Sequence, residues 1–394
     1  MLRSGRRILS TVRAVRAAGA RRTAALAIER AAPQFAARRP PGTTVSLESL
    51  AAQVEAILRG WGMSEEHASI TAELVVYADR RGIDSHGCAM LVHYHRALLA
   101  GRLTVTPSID VVRESDSAAL VDGGGGLGHV PGQTAMTLAV TKSRATGLGA
   151  VGVRNSGHFG AAGAYAAMAT AAGCLGFATS SADLPAVVPT RGKKAMLGTN
   201  PLAFAAPAKR NRPLLLDMAT STVSLGKIVD AWRRGRSIPS GWAVDPTGAP
   251  VTGARRAYAD RLLTPLGGSP ELGSHKGYGL AVMAETLSSI LTGMGTWGES
   301  AYPQRPVGHF FLALDPRRFR GDDDFAGDLD TMLDSLRATE PIDAAEPVLV
   351  AGDPEYAAES ERERSGVPLT RRVVDDLRAL ASGAGVPFVL DTRH

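Results

Sequence analysis

Among the nine histidines of this 394-residue chain, His86 and His158 stand in polar, glycine-flanked breaks instead of on apolar faces. The first is His86 in "GIDSHG", between two helical stretches. An imidazole that titrates near neutrality suits proton transfer to or from a hydroxyl, and Asp84 or Ser85 can hydrogen-bond the ring and fix it. The competing reading is a capping turn, in which Asp84 or Ser85 caps the next helix and His86 is incidental. The second is His158 in "VRNSGHFGAAGAYA". It follows a strand-like run, where α/β proteins place ligand contacts, with a buried, hydrogen-bonded histidine as the alternative.

Two more turns belong with these. In "LLLDMATSTVSLGK", Asp217 ends an apolar strand. Thr220 and Ser221 then offer hydroxyls and backbone N–H groups at an expected helix start, which is an anion site by geometry or else plain N-capping. In "GSHKGYGL", Lys276 stands among glycines at a helix N-terminus and would bind phosphate or carboxylate. The four turns together describe a cleft for an anionic ligand with a proton-transfer step. A metal is not expected: His93 and His95 are two apart on a helix and point to different sides, and there is no H-E-x-x-H or Cys/His cluster.

The elements that carry these turns can be read from periodicity. Leu50, Val54 and Leu58 form one helical stripe and Ile70, Leu74 and Tyr77 another, with Ser64 as N-cap and Gly82 as stop. After "IDSHG" a third helix places Leu91, Tyr94 and Leu98 on one face. From about 117 to 270, short β-like runs ("AALVD", "GAVGV", "LGFATS", "PLLLD") alternate with small-residue helical runs, which argues for an α/β domain. "KGYGLAVMAETLSSILTG" is a helix with Met283, Leu287 and Leu291 on one face, "GHFFLALD" a further strand, and two helices follow.

One motif points elsewhere. In "LVDGGGGLGHVPG", Gly123, Gly125 and Gly128 fit G-x-G-x-x-G, the spacing that lets a backbone close on a pyrophosphate. The next strand ends in Arg154 and Asn155, with no acid to take a ribose hydroxyl, which favours a glycine-rich turn.

Charge excludes one class of function. The net charge is +6, but residues 1–40 hold ten arginines and a single acid, so that stretch carries +9 and the rest −3. The body is mildly acidic, and nucleic acid is not an expected partner. No apolar run is long enough to span a membrane. Cys88 and Cys174 are few and far apart, as in a reducing compartment. The leader, residues 1–44, has the Arg- and Ala-rich composition of a mitochondrial transit peptide; a disordered leader, or residues upstream of the true start in an Arg- and Ala-rich bacterial proteome, is the alternative. The first implies the mitochondrial matrix, the second the cytoplasm.

As an ordered set, "DSHG", "NSGHFGAAGAY", "GTNPLAF", "DMATS", "IPSGWAVDPTG", "PLGG" and "HKGYGLA" resemble the malate/L-lactate dehydrogenase type 2 family, which includes ureidoglycolate, sulfolactate and diketogulonate oxidoreductases and imine reductases. The resemblance covers residues 45 to about 390. It implies a non-Rossmann NAD(P)-binding α/β fold, a helical domain of residues 45–115 completed by 340–394, an α/β region over 116–339, and a homodimer. It implies hydride transfer between NAD or NADP and C2 of a small 2-hydroxy or 2-oxo carboxylate, with cyclic imine reduction, or a silent binding protein on the same scaffold, as alternatives. His86 matches the proposed acid/base, with Ser85 beside it, and His158 a second histidine assigned to proton transfer in some members. Asp217, Met218, Ala219, Thr220 and Ser221 match the cofactor segment, Lys276 a cofactor-contacting lysine, and Gly352 with Asp353 a C-terminal cofactor segment. Ser181 aligns more loosely. Asp217 is also a candidate for the chemistry in imine-reducing relatives. Two departures stand out: Met90 occupies the place of an arginine that grips the substrate carboxylate, and Asp353 replaces a glutamate.

Overall fold

The computed structural model describes residues 42–295, 306–321 and 324–391. Residues 1–41 of the expected leader lie outside the described residues, and Gly42–Thr44 already belong to a strand. Strand β1 (Gly42–Val45) leads into helices α1 (Leu47–Gly60) and α2 (Glu65–Arg80), a 3-10 turn at Cys88–Met90, and α3 (Leu91–Leu99). Next come β2 (Asp110–Glu114), β3 (Ala118–Asp122), α4 (His129–Thr146), β4 (Leu148–Ser156), α5 (Ala162–Ala171), β5 (Leu175–Ser180), β6 (Leu202–Ala206) and β7 (Leu214–Met218). Helices α6 (Leu225–Arg233), α7 (Ala254–Asp260) and α8 (Ser274–Glu285) follow, the last running into a π turn at Thr286–Ile290. The described chain closes with β8 (Val307–Leu314), α9 (Arg317–Arg320), α10 (Phe325–Arg337), α11 (Asp353–Ser365), β9 (Val367–Thr370) and α12 (Arg371–Gly383).

The helical part is built from both ends of the chain. Ser46 accepts from the Ser49 N–H at 3.0 Å and Ser64 from the His67 N–H at 3.3 Å, so each starts its helix by taking up an orphan donor. The buried faces of α1 (Leu50, Val54, Ile57, Leu58), α3 (Leu91, Tyr94) and α12 (Val374, Leu377, Leu380) close on one apolar cluster. Antiparallel pairing of β1 with β9, Val45 opposite Val367, ties the two ends together.

The seven-stranded sheet has the order β2-β3-β4-β8-β5-β6-β7. Only β3 and β4 run parallel, so this is no doubly wound dinucleotide fold. Helices α4 and α5 cover the sheet, Met136 and Val140 from one and Tyr165 and Ala169 from the other meeting Val151, Val153 and Phe311. Helix α5 is made of small residues because it must lie close: a Cβ on Gly176 of β5 would stand 2.3 Å from the Ala166 carbonyl oxygen. A third cluster, with Val187, Ile228, Ala243 and Leu263, gathers α6, α7 and α8.

The glycine-rich turn joins β3 to α4, and the protein itself fills the space that three of its glycines leave. A Cβ would stand 2.3 Å from the Ser108 carbonyl oxygen at Gly124, 2.5 Å from Pro107 at Gly126, and 2.4 Å from the Gly157 carbonyl oxygen at Gly128. These three glycines permit packing of chain on chain.

Candidate active site

His86 and His158, 72 positions apart, stack with ring centroids 5.4 Å apart and planes at 26°. His158 follows β4, in the turn to α5; His86 sits in the turn that leaves α2. Tyr94 on α3 meets the His158 Nδ1 through its hydroxyl at 2.9 Å, and the Gly160 N–H donates to the same nitrogen at 3.2 Å. A backbone N–H can only donate, so Nδ1 is a lone pair and the neutral ring carries its proton on Nε2. Burial, together with the neighbouring His86 and His129, pushes the His158 pKa well down, so this ring stays neutral.

His86 is half-buried, and burial lowers its pKa from the usual 6.5. Its Nδ1 lies 2.8 Å from the Ser85 Oγ, the local contact that the turn's composition suggested. The capping alternative fails. The 3-10 turn has Gly87 as its N-cap and no side-chain cap, and the Cys88 N–H is taken instead by Asp79 from α2, at 2.7 Å. Asp79 is fully buried, and burial pushes its carboxyl up to about 7. A Cβ on Gly87 would stand 2.1 Å from the Asp79 carboxyl, so the turn needs glycine there. From the far end of the chain, Arg362 on α11 donates to the Asp79 carbonyl oxygen and to Asp84.

Tyr94 and His158 line a cleft with His93, Arg102, Asn155 and Asp183 among its other walls. His93 faces Asp183 at 3.3 Å. Burial pushes the Asp183 carboxyl up, but the hydrogen bond and charge of His93 outweigh it, and the group titrates below its ordinary value.

The other expected residues fall into two groups. The first is the segment Asp217–Ser221 with Lys276. Asp217, at the end of β7, accepts the Gly163 N–H of α5 at 2.8 Å, and burial lifts its carboxyl to about 6. Met218 closes β7 opposite Leu202, and Ala219 follows it. The expected helix start at Thr220 and Ser221 is corrected: α6 begins at Leu225 after Ser224. The Thr220 hydroxyl donates to the Thr199 and Asn200 carbonyls at 3.1 and 3.0 Å, and that of Ser221 to the Val223 carbonyl at 2.8 Å, so local backbone acceptors hold both in the turn before the helix. Gly226 in the first turn of α6 packs on Ser85, where a Cβ would stand 3.0 Å from the serine's. Lys276 is exposed in the first turn of α8 and has no side-chain partner among the described residues.

The second group is engaged in the scaffold. Ser181 exchanges hydrogen bonds with Gly308, N–H to carbonyl at 3.1 Å and Oγ from N–H at 3.1 Å, which fastens β5 to β8. Gly352 has φ +101° and lies against Leu215 of β7. Asp353 is buried and bidentate to Arg337, at 3.0 and 2.8 Å. Met90 packs half-buried against the helical cluster.

Sequence reasoning missed Tyr94 as a polar group, Asp79, Arg362, Arg102 and the Asp183–His93 pair. Tyr94 had a signal: a tyrosine on an apolar helical face brings a hydroxyl that must find a partner. It missed His129 too, buried beneath Tyr94 at 5.7 Å between ring centroids, with neither ring nitrogen bonded.

Residues 45–378 match the family model described as malate/L-lactate dehydrogenase. The chain is 40% identical over 335 residues to a malate dehydrogenase of Pyrococcus abyssi, covering 84% of this chain and 92% of that one. A malate dehydrogenase structure from Entamoeba histolytica superposes with a TM-score of 0.84 at 31% identity, over 88% of this chain and 99% of that one. A delta1-piperideine-2-carboxylate reductase from Pseudomonas syringae pvar.tomato does so with a TM-score of 0.75 at 27% identity, over 86% and 99%.

Proposed function

Because the chain belongs to the malate/L-lactate dehydrogenase family, whose members are nicotinamide-dependent oxidoreductases of hydroxy acids, we propose that it interconverts a small 2-hydroxy acid and its 2-oxo acid, with His86 exchanging the hydroxyl proton. The observation that carries this is the stacked His86–His158 pair beside the cleft.

The two rings divide the work. His158, with Nδ1 held by the Gly160 N–H, presents Nε2–H and donates a hydrogen bond to the substrate oxygen. His86 has only a serine hydroxyl at Nδ1, and a hydroxyl can accept from Nδ1–H whether the ring is neutral or charged. Its Nε2 is therefore free to take or return the proton. Asp79 and Arg362 hold the turn that aims it.

The residues fit a nicotinamide dinucleotide in charge and in acceptor chemistry. Lys276 is a cation at a helix N-terminus, unpaired among the described residues, and Asn200 keeps a buried amide oxygen without a partner beside the Thr220 turn. Lys276 and the segment Asp217–Ser221 would hold the cofactor, NAD or NADP, which when bound supplies or accepts the hydride.

A second reading, reduction of a cyclic imine, has its support in the likeness to the piperideine-carboxylate reductase and in Asp217, whose raised carboxyl is a candidate proton source. The test is oxidation of NADH and NADPH followed by absorbance against oxaloacetate, pyruvate, oxalurate, sulfopyruvate and one cyclic imine. Turnover of an oxo acid supports the first reading; turnover of the imine alone replaces it with the second.

A second copy of this chain is the partner proposed for the apolar face of α8 and its π turn, where Val282, Met283, Ile290 and Leu291 stand exposed. Nucleic acid and membrane are not proposed as partners. No described helix is long and apolar enough to cross a membrane.

A further inference from the structure

We infer that Arg102 is the residue that holds the substrate's carboxylate, an inference that rests on the hydroxy-acid reading above. Arg102 lies in the turn after α3, pinned by its backbone N–H to the Ala97 carbonyl at 2.8 Å, and lines the same cleft as Tyr94 and His158. Its guanidinium has no hydrogen-bond or ion-pair partner among the described residues. The acid in that cleft, Asp183, is turned onto His93 at 3.3 Å. Arg102 is thus the strong cation left in the cleft wall to meet an anion, and Met90, packed on the helical cluster, adds no charge. A guanidinium fork matches a carboxylate in two parallel hydrogen bonds, which fixes orientation as well as position. Held there, a 2-oxo acid has one end fixed while its C2 oxygen meets the histidine pair.

The test compares the full-length wild type with Arg102→Met and Arg102→Lys in two measurements. The first is calorimetric titration of sodium oxalate, an unreactive dicarboxylate, into each protein with NADH and, separately, NADPH. The second is steady-state turnover of the 2-oxo acid panel. Loss of the bidentate partner should weaken oxalate binding and raise KM by roughly 30- to 1000-fold in Arg102→Met, with kcat far less affected. Arg102→Lys should lie between, because it keeps the charge and loses the fork. Equal oxalate binding by wild type and Arg102→Met, or none by either, overturns the assignment. Oxalate binding that depends on Arg102 in a wild type that turns over no oxo acid supports the anion grip and sinks the hydroxy-acid reading instead.

Discussion

Arg362 and Asp84 meet across 278 positions of chain, the guanidinium Nη1 donating to the carboxylate Oδ1 at 2.5 Å. The same nitrogen also donates to the Asp79 carbonyl, so α11 fastens the His86 turn from outside while the Asp79 carboxyl fastens it from below. Arg362→Met should lower kcat roughly tenfold with cofactor affinity unchanged, since a small displacement of a catalytic group is enough for such a loss. Single-turnover rates and NADH fluorescence titration check it; a fall in NADH affinity with kcat intact would show that the pair serves the cofactor and not the turn.

His86→Ala should cost roughly 10²- to 10⁴-fold in turnover, as removal of a general acid/base does. His158→Gln, which retains an N–H donor, should cost less than His158→Ala. If His86→Ala keeps full turnover while His158→Ala abolishes it, the two roles are exchanged.

The pH profile follows from His86. Reduction of an oxo acid needs the protonated ring, and burial has lowered the pKa below 6.5, so reductive kcat/KM should fall as pH rises past that lowered value. Oxidation needs the neutral ring, already present at neutral pH, so its profile should be flat there. Rates in both directions from about pH 5 to 9 decide it, and a reductive rate that rises with pH would remove His86 from the role.

His129 contributes to acid sensitivity, as the equally buried His309 does. Burial lowers the His129 pKa from 6.5 to about 3, so below 6.5 the unfolded chain takes a proton that the folded chain refuses, and stability falls as pH drops from 6.5 toward 3. At about pH 5 the loss from this one ring is about 2 kcal/mol. His129→Leu should remove that part of the difference between pH 7 and pH 5 in urea unfolding; an undiminished difference would place the acid sensitivity elsewhere.

Leu291→Asp should shift the molecular mass from dimer to monomer in sedimentation. Leu291 is 62% exposed on the described chain. A charge placed in a buried self-contact is costly. A variant that stays dimeric would move the interface away from α8.

The same helix shows the limit of periodicity. Met283, Leu287 and Leu291 have the right spacing, yet the face that packs inward is Ala281, Ala284, Ser288 and Ser289, because the sheet comes so close that a Cβ on Gly308 would stand 1.8 Å from the Ser288 carbonyl. Large residues do not fit there, and the stripe points out. The strands Ala118–Asp122, Leu175–Ser180 and Val307–Leu314 were legible as compact β-like runs, while β2, exposed at every position, and β6, hidden inside "GTNPLAF", gave no period. At the site, the two histidine turns were legible from their polar residues and glycines. The contacts that position them were not. Asp79 bonds a backbone N–H nine positions on, which leaves no mark in the helical period, and no local pattern marks an arginine that will find Asp84 from 278 positions away.

Strand β8 lies at the centre of the sheet, between β4 and β5, although it is the last of the seven along the chain. During synthesis β4 and β5 therefore leave the ribosome with open edges and wait through more than a hundred residues for the strand that separates them. Such edges recruit other strands while they wait, and non-local pairing of this kind is slow. Strand β1 waits longer still, for β9. The stacked His86–His158 pair lies between elements that these two late closures hold, so the nascent chain does not complete their surroundings until nearly its whole length has emerged.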